Sequence, residues 1–215
     1  MTSVRTAPPA ARPRRRDYAG WRMVHALAVT ETVAYGALYY AFAVFLVPMR
    51  QDLGTSLAVL TGAFSMALAI SGGLAPVVGR VLDRFGARPV MTLGSVLGAC
   101  ALLAWSQAQS VAQLYGAFVL LGCAWATTLY EPAFALVARW FARERTRALL
   151  TLTVVAGFAS TIFVPLSELL TARLGWRSAL VVLAVLVGLC AVPHAWLLRR
   201  TPADVGARVD GDAAG

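Results

Sequence analysis

The chain has no lysine, and its 215 residues include only two histidines and three cysteines. Charged residues make up 13%, about half the share that keeps the surface of a soluble domain wet. That shortage excludes a water-facing globule of this size. Cys100, Cys123 and Cys190 sit singly inside apolar runs with no CxxC spacing, so neither a disulfide framework nor a metal site is expected, and no cofactor. No GxSG nucleophile turn occurs, and neither His25 nor His194 sits mid-span to activate a serine, which argues against a membrane serine protease. Acidic residues are also few, ten against nineteen arginines, for a net charge of +9. The arginines stand in short clusters between long apolar runs. That is the pattern of cytoplasmic loops in a membrane protein rather than of a nucleic-acid groove.

What is present is hydrophobic: 59% of the chain. Apolar stretches of at least ~17 residues can cross a bilayer as helices. They are read here at 22–48, 57–79, 89–106, 112–138, 148–171 and 177–198. A polar patch at Gln107, Gln109 and Gln113 divides the third from the fourth, and LGWR (174–177) divides the fifth from the sixth. Sixteen of the nineteen arginines fall before or at the start of the first span, between the second and third, between the fourth and fifth, or after the sixth. Arg50, Arg173 and Arg177 are on the other side. The positive-inside rule then puts both termini in the cytoplasm. The first apolar run far exceeds the ~7–15 residues of a signal-peptide core, and no small-residue cleavage site follows it. Residues 1–16 read as a basic cytoplasmic tail, 17–200 as the transmembrane bundle, and 201–215 as the start of a cytoplasmic linker or tail.

An offset of 89 residues superimposes helix-end residues of the two halves of the bundle. Arg50 falls on Arg139, Ser71 on Ser160, Pro76 on Pro165, Arg84 on Arg173, Gly86 on Gly175 and Arg88 on Arg177. Two three-helix units, inverted relative to one another because three is odd, are the expectation.

The loop after the second span reads GRVLDRFGARP from Gly79 to Pro89. Gly79 allows close helix packing and Gly86 a tight turn, while Asp83 can pair with an arginine or a helix end as a latch. The run resembles the loop signature of the major facilitator superfamily at Gly79, Asp83, Arg84, Gly86 and Arg88, with Ala87 replacing one basic residue. FLVPMRQDLG, LYEPAFALVARWF, ARWFARERTRAL, VPLSELLTARLGWR and TPADVGARVDG are similar to the corresponding regions of many bacterial members. DYAGWR before the first span and the proline of the fifth point to the monocarboxylate-transporter-like subset. AGFASTIFVPL does not meet the antiporter signature of the fifth helix. The resemblance implies an all-α membrane protein, six helices forming half of a twelve-helix fold, in a bacterial inner membrane. It also implies that the Asp83 latch engages the opposite half.

Glu31 midway along the first span and Glu131 in the fourth are ionisable groups at a depth where insertion costs about 2.5–3.5 kcal/mol. The resemblance puts both helices around a central cavity, so both are candidates for proton coupling or substrate contact. Glu131 precedes Pro132 and reads equally well as a partner for backbone that the proline frees. Tyr35, Tyr39, Tyr40, Trp125 and Tyr130 are candidate pathway residues, and aromatic packing explains the Tyr35–Tyr39 spacing equally well. Glu168 reads as an interfacial partner of Arg173, and the two histidines as interfacial anchors. No arginine lies deep in a span, which favours proton handling or a neutral or cationic substrate.

The expected function is therefore secondary, proton-coupled transport of a small solute across a lipid bilayer, without enzymatic activity. The expected partner is a second six-helix half that is missing, separate or a homodimeric copy. A non-transporting receptor or assembly partner is the alternative.

Overall fold

The computed structural model describes residues 18–211, and the basic tail expected over 1–16 lies outside them. Six helices in this range are long and apolar enough to cross a membrane: α1 Ala19–Leu53, α2 Leu57–Phe85, α3 Ala87–Ser106, α4 Val111–Trp140, α5 Arg145–Leu174 and α6 Trp176–Leu197. No strand occurs among the described residues. The helices run a few residues past the apolar stretches because charged ends such as Arg80, Asp83 and Arg84 continue the α2 ladder. At ~1.5 Å per residue the longer ones exceed a ~30 Å hydrocarbon core, so they tilt or project.

Local chemistry sets the turns. Gly54 ends α1 in the left-handed conformation (φ 58°), and the Ser56 hydroxyl caps α2 by accepting from Val59 N–H at 3.3 Å. The glutamine patch does divide α3 from α4. Ser110 Oγ accepts from Gln113 N–H at 3.3 Å, and Gln113 Oε1 accepts from Gln109 N–H at 2.8 Å.

Four helices are interrupted. A six-residue π-helical stretch, Tyr35–Tyr40, lies within α1. In α4, Leu129 turns extended (ψ −164°) three residues before Pro132, which has no N–H and crowds the preceding turn. α5 breaks at Gly157 and Phe158, and α6 at Cys190, three residues before Pro193. Only α2 and α3 run unbroken.

The 89-residue repeat is present in the backbone. Gly86 between α2 and α3 has φ 84°, ψ 171°, and Gly175 between α5 and α6 has φ 80°, ψ 158°. Both repeats therefore turn through a conformation open essentially to glycine alone. Two ion pairs then join the repeats. Arg139 at the end of α4 meets Asp83 near the end of α2 at 2.7 Å, and Asp52 at the end of α1 meets Arg177 at the start of α6 at 2.8 Å. Each links the end of one repeat's first helix to the turn of the other, at opposite faces of the bundle.

Tight crossings rest on small residues, as expected where no hydrophobic drive separates helix from lipid. A Cβ on Gly94 of α3 would collide with the Thr127 and Thr128 hydroxyls of α4, and one on Gly122 of α4 with the Ala67 carbonyl of α2. Trp105, Phe45 and Phe118 fill one core cluster, and Trp140, Phe141 and Met91 a second one nearer the chain ends.

Beyond α6 the chain folds back onto the face that carries both ends. Trp140 Nε1 donates to the Arg199 carbonyl at 3.1 Å, and Arg200 to the Asp83 carbonyl at 2.8 Å. The Asp210 carboxylate accepts from the backbone N–H groups of Ala142, Arg143 and Glu144 at 3.0–3.3 Å. Residues 201–211 thus include a strap across the α4–α5 turn, held by Asp210.

Candidate transport site

Glu31 is 0% exposed, and neither of its carboxylate oxygens has a hydrogen-bond partner among the described residues. Its neighbours turn their polarity elsewhere. Thr30 Oγ1 lies 3.2 Å from the Leu27 carbonyl, and Thr32 Oγ1 lies 2.7 Å from the Ala28 carbonyl and 3.2 Å from that of Val155 in α5. A buried charged group with nothing to hold it is costly. The buried hydroxyls of Thr128 and Ser167 are likewise unpartnered.

The π-helical stretch begins four residues beyond Glu31 and aims three tyrosines. The Tyr35 ring lies 4.5 Å from Tyr130 of α4 and 6.2 Å from Tyr39. Tyr39 in turn lies 5.4 Å from Trp125, 5.1 Å from Phe64 and 5.4 Å from Tyr40. A widened turn leaves backbone carbonyls poorly paired, and Trp125 Nε1 donates to that of Leu38 at 3.2 Å. The stretch also requires Gly36, because a Cβ there would fall inside the Phe163 ring of α5.

Glu31, Tyr35, Tyr39, Trp125, Tyr130 and Glu131 thus belong to one neighbourhood on α1 and α4. Glu131 is exposed, in the first turn after the Leu129 break, and lies within electrostatic reach of Glu31 and Tyr35. Trp125 is 1% exposed and sits behind Tyr39 as packing, not on an open surface. Tyr40 is exposed.

Other expected residues are differently placed. Asp83 of the loop motif pairs within this chain, with Arg139, while Arg84 and Arg88 are exposed. Gly79 has nothing within contact distance of where a Cβ would stand, so no close crossing occurs there among the described residues. Glu168 and Arg173 do not pair, since five residues along a helix puts them on different faces. His25 is exposed beside Trp21, with the rings 6.2 Å apart. His194 is no interfacial anchor. It is 1% exposed, with Nε2 2.9 Å from Thr30 Oγ1 and Nδ1 2.9 Å from Ser95 Oγ. The available signal was the set of three polar residues in otherwise apolar spans, but their meeting depends on helix crossings.

Inverted three-helix repeats with broken helices are an architecture found in membrane transporter folds. The profile of the Major Facilitator Superfamily matches residues 28–213, most of the chain, and the chain belongs to that superfamily. It is similar to monocarboxylate transporter 13 of Bos taurus (32% identity over 169 residues; 78% of this chain and 39% of the relative) and to monocarboxylate transporter 11 of Mus musculus (30% over 181; 84% and 40%). It is also similar to monocarboxylate transporter 3 of Rattus norvegicus (33% over 162; 74% and 32%). The chain thus spans about two fifths or less of the length of these relatives.

Proposed function

We propose that the chain is the amino-terminal half of a proton-coupled transporter of small monocarboxylates and that it works with a second six-helix unit. The observation that carries the coupling is Glu31, a fully buried carboxyl with no hydrogen-bond partner among the described residues. Its charge must be met by a proton, by substrate or by the other half. Tyr35 and Tyr130 beside it offer hydroxyls to a carboxylate passing along α1 and α4. The substrate class comes from the names of the relatives. With no arginine deep in these spans, the cationic contact for such an anion falls to the second unit. The exposed apolar faces of α2 and α5, with Leu68, Val77, Ile162 and Leu169, are suited to seating that unit and lipid. The distribution of arginine favours both ends in the cytoplasm. The lysine-free composition suggests a bacterial inner membrane, although the relatives named above are mammalian.

The test is lactate uptake into proteoliposomes, with the purified chain alone and together with a co-expressed second six-helix polypeptide, the carboxyl-terminal half of a related transporter. Uptake driven by an inward proton gradient and abolished in Glu31→Gln supports coupling at Glu31. Uptake indifferent to the gradient and to that substitution refutes it. Uptake that requires the second polypeptide supports the half-transporter reading.

A further inference from the structure

The π-helical stretch in α1 and the break at Cys190 in α6 each interrupt a backbone ladder. The part of α1 that carries Glu31 and the end of α6 are therefore not held in place by continuous helices. α3 is unbroken over twenty residues. One side chain joins all three. His194, on the α6 segment after its break, places Nε2 2.9 Å from Thr30 Oγ1 of α1. Its Nδ1 lies 2.9 Å from Ser95 Oγ and 3.2 Å from the Met91 carbonyl of α3.

We infer that His194 is a positioning residue for Glu31, fixing the α1 turn Thr30–Glu31 against α3 through its two ring nitrogens. The inference rests on the reading of Glu31 as the proton-coupling group.

The hydrogen-bond geometry is complete on both sides of the ring. With the proton on Nε2, His194 donates to Thr30 Oγ1, Thr30 donates onward to the Leu27 carbonyl, and Ser95 donates to Nδ1. With the proton on Nδ1, the ring donates to the Met91 carbonyl and accepts from Thr30. In either tautomer the Thr30 side chain is tethered, and Glu31 is the next residue. Buried networks of this kind fix one arrangement of helices, because an apolar substitute would remove the His194 contacts of Ser95 and Thr30 and leave Thr30 only the Leu27 carbonyl of its own helix. The titratable groups next along the two elements the ring joins are Glu31, beside Thr30 on α1, and Cys190, one turn earlier on α6, and these two lie within electrostatic reach of each other. The hydrogen-bond partners that α3 gives the ring among the described residues are the Ser95 hydroxyl and the Met91 carbonyl, neither of them charged. The hydrogen bonds of His194 among the described residues go to Thr30, Ser95 and Met91 and not to the tyrosine cluster, so it acts through Thr30 and not on substrate.

The test follows the Glu31 carboxyl directly. The purified chain in lipid nanodiscs is titrated while the infrared C=O band of protonated carboxyls is recorded, and Glu31→Gln identifies the component from Glu31. His194→Ala and Thr30→Val, which remove opposite ends of one contact, are each expected to move the midpoint of that component by about half a pH unit or more, the effect of losing roughly one hydrogen bond's worth of positioning. His194→Gln, whose amide can donate to Thr30 and accept from Ser95, is expected to restore it. A merely structural histidine would alter melting temperature and yield and leave the midpoint where it was. A midpoint unmoved in both His194→Ala and Thr30→Val, with the Glu31 band present, overturns this inference and leaves the coupling role of Glu31 standing. If Glu31→Gln removes no titrating band, the coupling role itself fails and this inference with it. Should His194→Ala not fold, Thr30→Val and His194→Gln decide the matter.

Discussion

Gly175 holds φ 80°, ψ 158°, in the same glycine-only region as Gly86 (φ 84°, ψ 171°), its counterpart 89 residues earlier. A Cβ on Gly175 would meet nothing, whereas one on Gly86 would approach Arg200 Cγ at 2.9 Å. Gly175→Ala therefore isolates backbone strain, expected at about 1–3 kcal/mol. Gly86→Ala adds displacement of a flexible arginine. Melting midpoints in detergent should fall in both variants, with Gly86→Ala also loosening the Arg200 contact to the Asp83 carbonyl.

Phe163 presses on the π-helical stretch at Gly36. Gly36→Ala should lower stability by about 1–3 kcal/mol through overpacking. Phe163→Leu should recover part of that loss in the double variant. Simple additivity of the two substitutions in a denaturation cycle would show that the contact does not set the spacing of α1 and α5.

The two inter-repeat ion pairs differ in strength. The Asp83 side chain is 82% exposed, so a double-mutant cycle of Asp83 and Arg139 should return less than about 1 kcal/mol, and less again at high salt. Arg177 also donates to the Ser106 carbonyl at 2.7 Å and stacks over Trp176 at 4.3 Å. Arg177→Ala should cost about 1–2 kcal/mol more than Arg139→Ala.

Asp210 carries the pH dependence of the strap. Burial pushes its carboxyl up, but the backbone N–H groups of Arg143, Glu144 and Ala142, with the Arg143 charge, outweigh this and hold it below the ordinary carboxylate range. Its stabilisation is therefore complete above that range and is lost as pH falls through the folded-state value. Asp210→Ala should cost about 2 kcal/mol at neutral pH. The melting difference between wild type and Asp210→Asn should shrink steadily on acidification. A difference independent of pH would remove the carboxylate from this role.

Much of the fold was legible along the chain. A hydrocarbon core admits only apolar runs of sufficient length with their backbone satisfied internally, so six such runs read as six helices. The repeat was legible too, because turn glycines and helix-end arginines recur at fixed spacing. Glu31 stood out as an acid in an apolar run, and Pro132 announced the break in α4. The π-helical stretch had no comparable signal: YGALYY suits an ordinary helix, and only the Phe163 ring and the Trp125 indole make the wider turn favourable.

Sequence alone determined the number of spans, the Arg asymmetry, the repeat and the superfamily resemblance, since each follows from local composition or fixed spacing. Tertiary structure decided which polar residues meet. His194 looked like an anchor near a helix end until the crossing of α1, α3 and α6 buried it between Thr30 and Ser95. Glu31 and Tyr130 lie ninety-nine positions apart, yet the crossing of α1 and α4 brings them within electrostatic reach. Helix crossings depend on side-chain shape at many contacts at once, and that information is spread across the whole chain.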